Sequence, residues 1–175
     1  MRHIKRILFV LLLHSGVNGQ TVHIEEDRIV YKGVVRIANI SKQELYERAK
    51  DALRNIIGGK EPIINDSGEN GTLVAKGTMK LTTPYHLIRQ VGYILELSVE
   101  DGGYKYRIDS VNMKQVERGG KTIKISSAEL FKGIEATGPE SIEAEKILNE
   151  IDLKFQKILA LVNRDIKSEP VAISN

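Results

Sequence analysis

Polar and apolar residues alternate with a period of two along the middle of the chain. Leu73, Ala75, Gly77, Met79 and Leu81 fall on one side of an extended segment, with Lys76, Thr78 and Lys80 on the other. Tyr93, Leu95, Leu97 and Val99 alternate with Ile94, Glu96, Ser98 and Glu100. After the turn residues Asp101-Gly102-Gly103, Tyr104, Tyr106 and Ile108 alternate with Lys105, Arg107 and Asp109. Two alternating runs joined by a short glycine-containing loop predict a β-hairpin. One apolar face and one face of mixed charge predict an antiparallel sheet covered on one side only. Lys105 and Arg107 stand where they can pair across strands with Glu96 and Glu100, each pair worth about 0.2–1 kcal/mol.

Before these strands, Gly33-Val34-Val35-Arg36-Ile37 reads as a first strand. A helix is predicted from Ser41, where Ser41 and Glu44 have the spacing of a capping box. Leu45, Ala49, Ala52, Leu53 and Ile56 form its apolar stripe, and Gly58-Gly59 ends it. Pro62-Ile63-Ile64-Asn65 is a short strand candidate, and Asp66 to Gly71 a turn. Thr122 to Ile125 is a further strand, followed by a short helical turn that Ser126 and Glu129 can cap. From about Glu140 to Asp165, Ile147, Leu148, Ile151, Phe155, Ile158, Leu159 and Val162 recur at spacings of three and four. They predict an amphipathic helix roughly 40 Å long at about 1.5 Å per residue. The fold class expected is α+β, a two-layer arrangement of one curved antiparallel sheet with two helices on one face.

The N-terminus has another character. Arg2, Lys5 and Arg6 precede the apolar run Ile7 to Leu13, and Val17 and Gly19 are small residues before Gln20. This is the order of a cleavable signal peptide, residues 1–19. The seven apolar residues from Ile7 to Leu13 span about 10 Å, too short for a hydrocarbon core near 30 Å, so no membrane span is expected. The reading places the mature protein in the periplasm or outside the cell, with residues 20–167 as a single domain and 168–175 as a flexible tail. Loss of the leader also changes the charge. The chain has 26 basic and 23 acidic residues, and the leader removes Arg2, Lys5 and Arg6 but no acid, leaving 23 of each. Steering to nucleic acid or an anionic membrane is therefore not expected. Cysteine is absent, which removes thiol catalysis and thiolate metal sites. At this length the core needs no disulfides.

Three stretches resemble one known family: Ser41 to Ala49 after a strand, Gly71 to Gly77, and Val99 to Ile108. They are similar to an exported family of Gram-negative bacteria known as a domain of unknown function (number 4468) with a TBP-like fold. The resemblance runs from Val30 to Val162. It implies a curved antiparallel sheet with helices packed on one side. It implies no activity, ligand or catalytic residue, and a fold's name does not bring DNA binding with it.

The chemical inventory is sparse. His23 and His86 are the only histidines after the leader. No His-Glu-x-x-His, no paired histidines and no carboxylate–histidine cluster occur, so no metal or other cofactor is expected. No Gly-x-Ser-x-Gly elbow or phosphate loop is present. The acidic, glycine-containing stretch Asp66 to Gly71 lacks calcium-loop spacing. Tyr93, Tyr104 and Tyr106 share strand parity with the core positions, which leaves Tyr85 as the aromatic most exposed to a loop. The bacterial source that the resemblance implies makes the three Asn-x-Ser/Thr sequons, at Asn39, Asn65 and Asn70, chance matches.

These features point to a non-enzymatic binding domain that contacts a protein or a small polar ligand. Candidate contact residues are Tyr85, His86, Glu100, Asp101, Lys105 and Arg107. Two alternatives stand beside it. One is a hydrolase assembled from distant residues, with Glu100, Asp101 and His86 as its members. The other is a subunit that forms homo-oligomers through its C-terminal helix.

Overall fold

The structure is a computed structural model that describes residues 21–25, 28–57, 62–82, 87–116, 119–135 and 138–168. The elements run β1 (Thr21–Glu25), β2 (Arg28–Arg36), α1 (Lys42–Ile57), β3 (Ile63–Ser67), β4 (Thr72–Leu81), β5 (Ile88–Glu100), β6 (Gly103–Val116), β7 (Thr122–Ser126), α2 (Ser127–Glu135) and α3 (Pro139–Lys167). The strands form one antiparallel sheet in the order β1-β2-β6-β5-β4-β3, and β7 also pairs with β6. The leader, the Gly58-Gly59 helix stop and the tail from 169 onward lie outside the described residues.

β6 organises this sheet. Its whole length pairs with β5 on one side. On its other side, Gly103 to Ile108 pair with β2, and Asn112 to Val116 pair with β7. The change of partner falls at a bulge. Gly92 faces Asn112 and Ile94 faces Asp109, so β6 holds one more residue than β5 between these pairs. Ser110 in this bulge has φ 53, a left-handed conformation unusual for a residue with a β-carbon.

The period-two parity holds. Leu73, Ala75, Leu81, Tyr93, Leu95, Leu97, Val99, Tyr104, Tyr106 and Ile108 are all buried. Beyond the bulge the inward set on β6 shifts to Val111 and Met113, both buried. Burying each large apolar side chain in this set contributes roughly 1.5–3 kcal/mol.

Among the described residues three helices, not two, cover the inner face. The short turn expected after Ser126 is a full helix, because its capping box closes in both directions. Glu129 N–H donates to Ser126 Oγ at 3.3 Å, and Ser126 N–H donates to Glu129 Oε2 at 2.6 Å. At α1 only half of the expected box forms. Glu44 N–H donates to Ser41 Oγ at 3.2 Å, while the Glu44 carboxylate accepts from Arg48. Arg48 also donates to the carbonyls of Ile166 and Ser168, satisfying orphan acceptors at the end of α3.

α3 buries Ala144, Ile147, Ile151, Phe155, Leu159, Val162 and Ile166. Phe155 is fully buried, with its ring edge-on to Tyr31 at 5.0 Å and to Tyr93 at 5.1 Å between centroids. The apolar stripe that suggested pairing between copies is therefore occupied by the molecule's own sheet. Among the described residues no helix is long and apolar enough to cross a membrane.

Candidate functional site

With the helices on the inner face, the outward residues of β4, β5 and β6 form a surface of their own. Thr78, Gly92 and Asn112 make one cross-strand row on it. Gly92 has no side chain, so the row sinks at its centre. Its φ lies outside the left-handed region, so the backbone there does not require glycine. A strand glycine of this kind marks a place where something else can approach the backbone. Taller side chains rise on either side: Lys76 and Ile94 toward the β5–β6 turn, Gln90 and Lys114 toward the other end. The result is an open hollow of about 300 Å³. The bulge residue Ser110 lines it too, and Asn112 Nδ2 donates to the Ser110 carbonyl at 2.9 Å, fixing that amide at the rim.

The charges on this outer surface are segregated. Toward the β5–β6 turn they alternate in sign, as expected: Glu96 faces Arg107 across the strands, Lys105 pairs with Glu100, and Arg107 pairs with Asp109 at 2.9 Å. Around and beyond the hollow they do not. The next row reads Lys80, Gln90, Lys114, Lys124 across β4, β5, β6 and β7. Lys114 and Lys124 stand directly opposite one another, a pairing that costs stability. No carboxylate lines the hollow. Asp109 lies beside Ile94, but its carboxylate accepts from Arg107 and from the Ser110 hydroxyl. The expectation of a mixed-charge outer face is thus correct for one half of the sheet. The other half is basic.

Of the residues singled out from the sequence, Glu100, Asp101, Lys105 and Arg107 do not line the hollow. Tyr85 and His86 lie outside the described residues, as does the His23 side chain. Glu100 and Lys105 sit at the base of the β5–β6 turn and satisfy each other. Hydrogen bonding from Lys105 holds the Glu100 carboxyl below its usual range, so it stays an anion rather than a proton donor. Asp101 is exposed in the turn itself. Glu100 is eight positions from Gly92 on the same strand, about 27 Å away at roughly 3.4 Å per residue, so it does not share the hollow.

The other titratable groups are structural. Burial pushes the Tyr93 and Tyr106 hydroxyls up to about 12, and Tyr31 and Tyr104 are raised further by the same cause. Asp66 is engaged within the fold. It accepts from the Tyr46 hydroxyl and pairs with Lys50 at 2.6 Å, tying β3 to α1. Among the described residues no group of acids and histidines is arranged to hold a metal. Arg89 is buried and donates to Gln115 at 2.8 Å and to Glu143 of α3 at 2.5 Å, joining sheet to helix.

Residues 31–114 match the domain of unknown function with TBP-like fold, DUF4468. This segment is a DUF4468 domain. It contains the whole hollow, while β7, α2 and α3 follow it. Two solved structures have the same fold. A DUF4468 family protein from Bacteroides ovatus superposes with a TM-score of 0.61 at 13% identity, covering 86% of this chain and 92% of its own. A TBP-like protein from Parabacteroides distasonis gives a TM-score of 0.63 at 12% identity, covering 85% and 99%. Comparison with curated proteins gave no match. The DUF4468 segment therefore has a known fold, and its chemistry must be read from its own side chains.

Proposed function

We propose that this chain is an exported, non-enzymatic binding domain that takes a small polar ligand on the outer face of its sheet, in the hollow over Gly92. The observation that carries the reading is the hollow itself: a strand glycine on the face away from the helices, ringed by amides, hydroxyls and lysines. Strand residues pinned by cross-strand pairing hold such a ring with little loss of freedom on binding. The lack of a reacting group supports the non-enzymatic part. Every hollow-lining polar side chain is an amide, a hydroxyl or an amine, apart from Tyr93, whose side chain belongs to the core. The order of charge, apolar run and small residues in 1–19 supports export.

The test is a screen of small polar compounds against the protein and its Gly92→Val variant. A β-carbon on Gly92 would come within 3.1 Å of Asn112 Oδ1, which must yield by a few tenths of an ångström, so the variant fills the hollow from the outer face. Ligands should raise the melting temperature of the wild-type protein and lose that effect in the variant. Hits that stabilise both equally would sink this location. A hydrolytic activity abolished by Glu100→Gln would favour an enzyme instead. N-terminal sequencing of protein from the native cell should begin at Gln20, and an intact Met1 in cytoplasmic protein would refute export.

A further inference from the structure

We infer that the ligand of this hollow is anionic: a polyhydroxylated small molecule carrying two anionic groups, held by Lys76 at one end and Lys114 at the other. This rests on the reading of the hollow as a binding site and adds the chemistry that it selects. The two lysines line the hollow from β4 and from β6, on opposite sides of the Gly92 row. Neither is joined to a carboxylate among the described residues. Between them lie Thr78, Gln90, Asn112 and Ser110, which offer both donors and acceptors and so suit hydroxyl groups.

The placement of positive charge has a cost that solvation alone does not explain. A surface needing only solubility would intersperse the two signs, as the other half of this same face does. Here Lys114 is set opposite Lys124, with Lys80 in the same row and, among the described residues, no carboxylate paired with any of the three. Like charges held together on a rigid sheet become favourable when an anion bridges them. Lys76 and Lys114 are two strands and four positions apart, about 17 Å between backbones, a span their long side chains shorten toward a ligand with an anionic group at each end.

The experiment uses isotope-labelled full chain, expressed with its own N-terminal segment, and follows backbone amide shifts. The probes are fructose 1,6-bisphosphate, digalacturonate and, as the neutral control, maltose. At least one anion should shift Thr78, Gly92 and Asn112, with an affinity that falls as salt rises. A response to the bisphosphate alone assigns phosphate as the charged group, and a response to digalacturonate alone assigns carboxylate. The double variant Lys76→Gln/Lys114→Gln should weaken binding by at least about ten-fold through loss of two charge-assisted contacts. Its melting temperature should not fall, because the Lys114–Lys124 repulsion is relieved. If maltose shifts the same amides as strongly, the hollow stands and the anionic assignment fails. The assignment fails equally if Gly92→Val abolishes binding while the lysine variant does not. If neither anion moves these amides, the inference is overturned.

Discussion

Gly77 and Tyr93 face each other across β4 and β5, and the tyrosine ring lies where a β-carbon on residue 77 would stand. Gly33 and Tyr106 repeat the relationship across β2 and β6. In each pair a ring folds over bare backbone on the buried face, which lets the sheet bend under its helices. Gly77→Val should therefore destabilise by about 1–3 kcal/mol through overpacking, read as a lower urea midpoint at unchanged slope. Tyr93→Leu in that background should recover part of the loss, since the two groups compete for one space. Strict additivity of the two substitutions would contradict this.

Phe155 is the part of α3 that closes the core between Tyr31 and Tyr93. Phe155→Ala leaves a cavity at a site with no exposure, and should cost about 3–5 kcal/mol in equilibrium unfolding. Leu153→Ala, two positions away and 65% exposed, is the control and should change stability by less than about 0.5 kcal/mol.

Two aspartates respond to pH in opposite directions. Burial raises the Asp152 carboxyl above its usual range, against hydrogen bonds from Tyr31 and Gln156, and its Oδ1 has no partner. A raised folded value favours the folded state below the unfolded pKa, and that contribution is lost as pH rises through the folded one. Hydrogen bonds from Lys50 and Tyr46 lower Asp66. Its contribution is present above the unfolded pKa and is lost as pH falls through the lowered folded value. Asp152→Asn should therefore gain on the wild-type protein as pH rises from about 4 toward neutrality. Asp66→Asn should lose ground in the acid range instead, as pH rises toward the unfolded aspartate value of about 4. Thermal melts from acid to neutral pH check both signs, and parallel curves for the two variants would refute the assignment.

Ser110 holds a left-handed φ of 53 at the bulge. Ser110→Gly should be neutral or stabilising by up to about 1 kcal/mol, the strain relieved being partly offset by greater freedom of the unfolded chain. Ser110→Val, with a branched β-carbon in that conformation, should cost on the order of 1–2 kcal/mol. Chemical denaturation of the two variants measures the difference.

The bulge also explains what could and could not be read in advance. Within Leu73–Leu81, Tyr93–Val99 and Tyr104–Ile108 the alternation is clear, so inward and outward residues were legible one by one. α1, α3 and the capping of α2 were legible from Ser41, the Ile147–Val162 spacing, and Ser126 with Glu129. At Ser110 the extra residue shifts the parity, so Val111 and Met113 point inward where simple alternation puts Ser110 and Asn112. A period-two search stops there and loses the second half of β6. Gly92 weakens the start of β5 in the same way. The hollow needs both of these hidden stretches, which is why Lys114, Asn112 and Gln90 were not identified as neighbours of Lys76. The lysines were visible individually, but their row exists only once β6 is paired with β5 and β7.

The strand order has a consequence for how the chain becomes a protein. β2 is made early, yet one of its two neighbours, β6, follows only after α1, β3, β4 and β5. Phe155, which seals the space between Tyr31 and Tyr93, arrives later still. An emerging chain therefore cannot complete its interior from the N-terminal end. The native interior closes only once nearly all of the chain has been made.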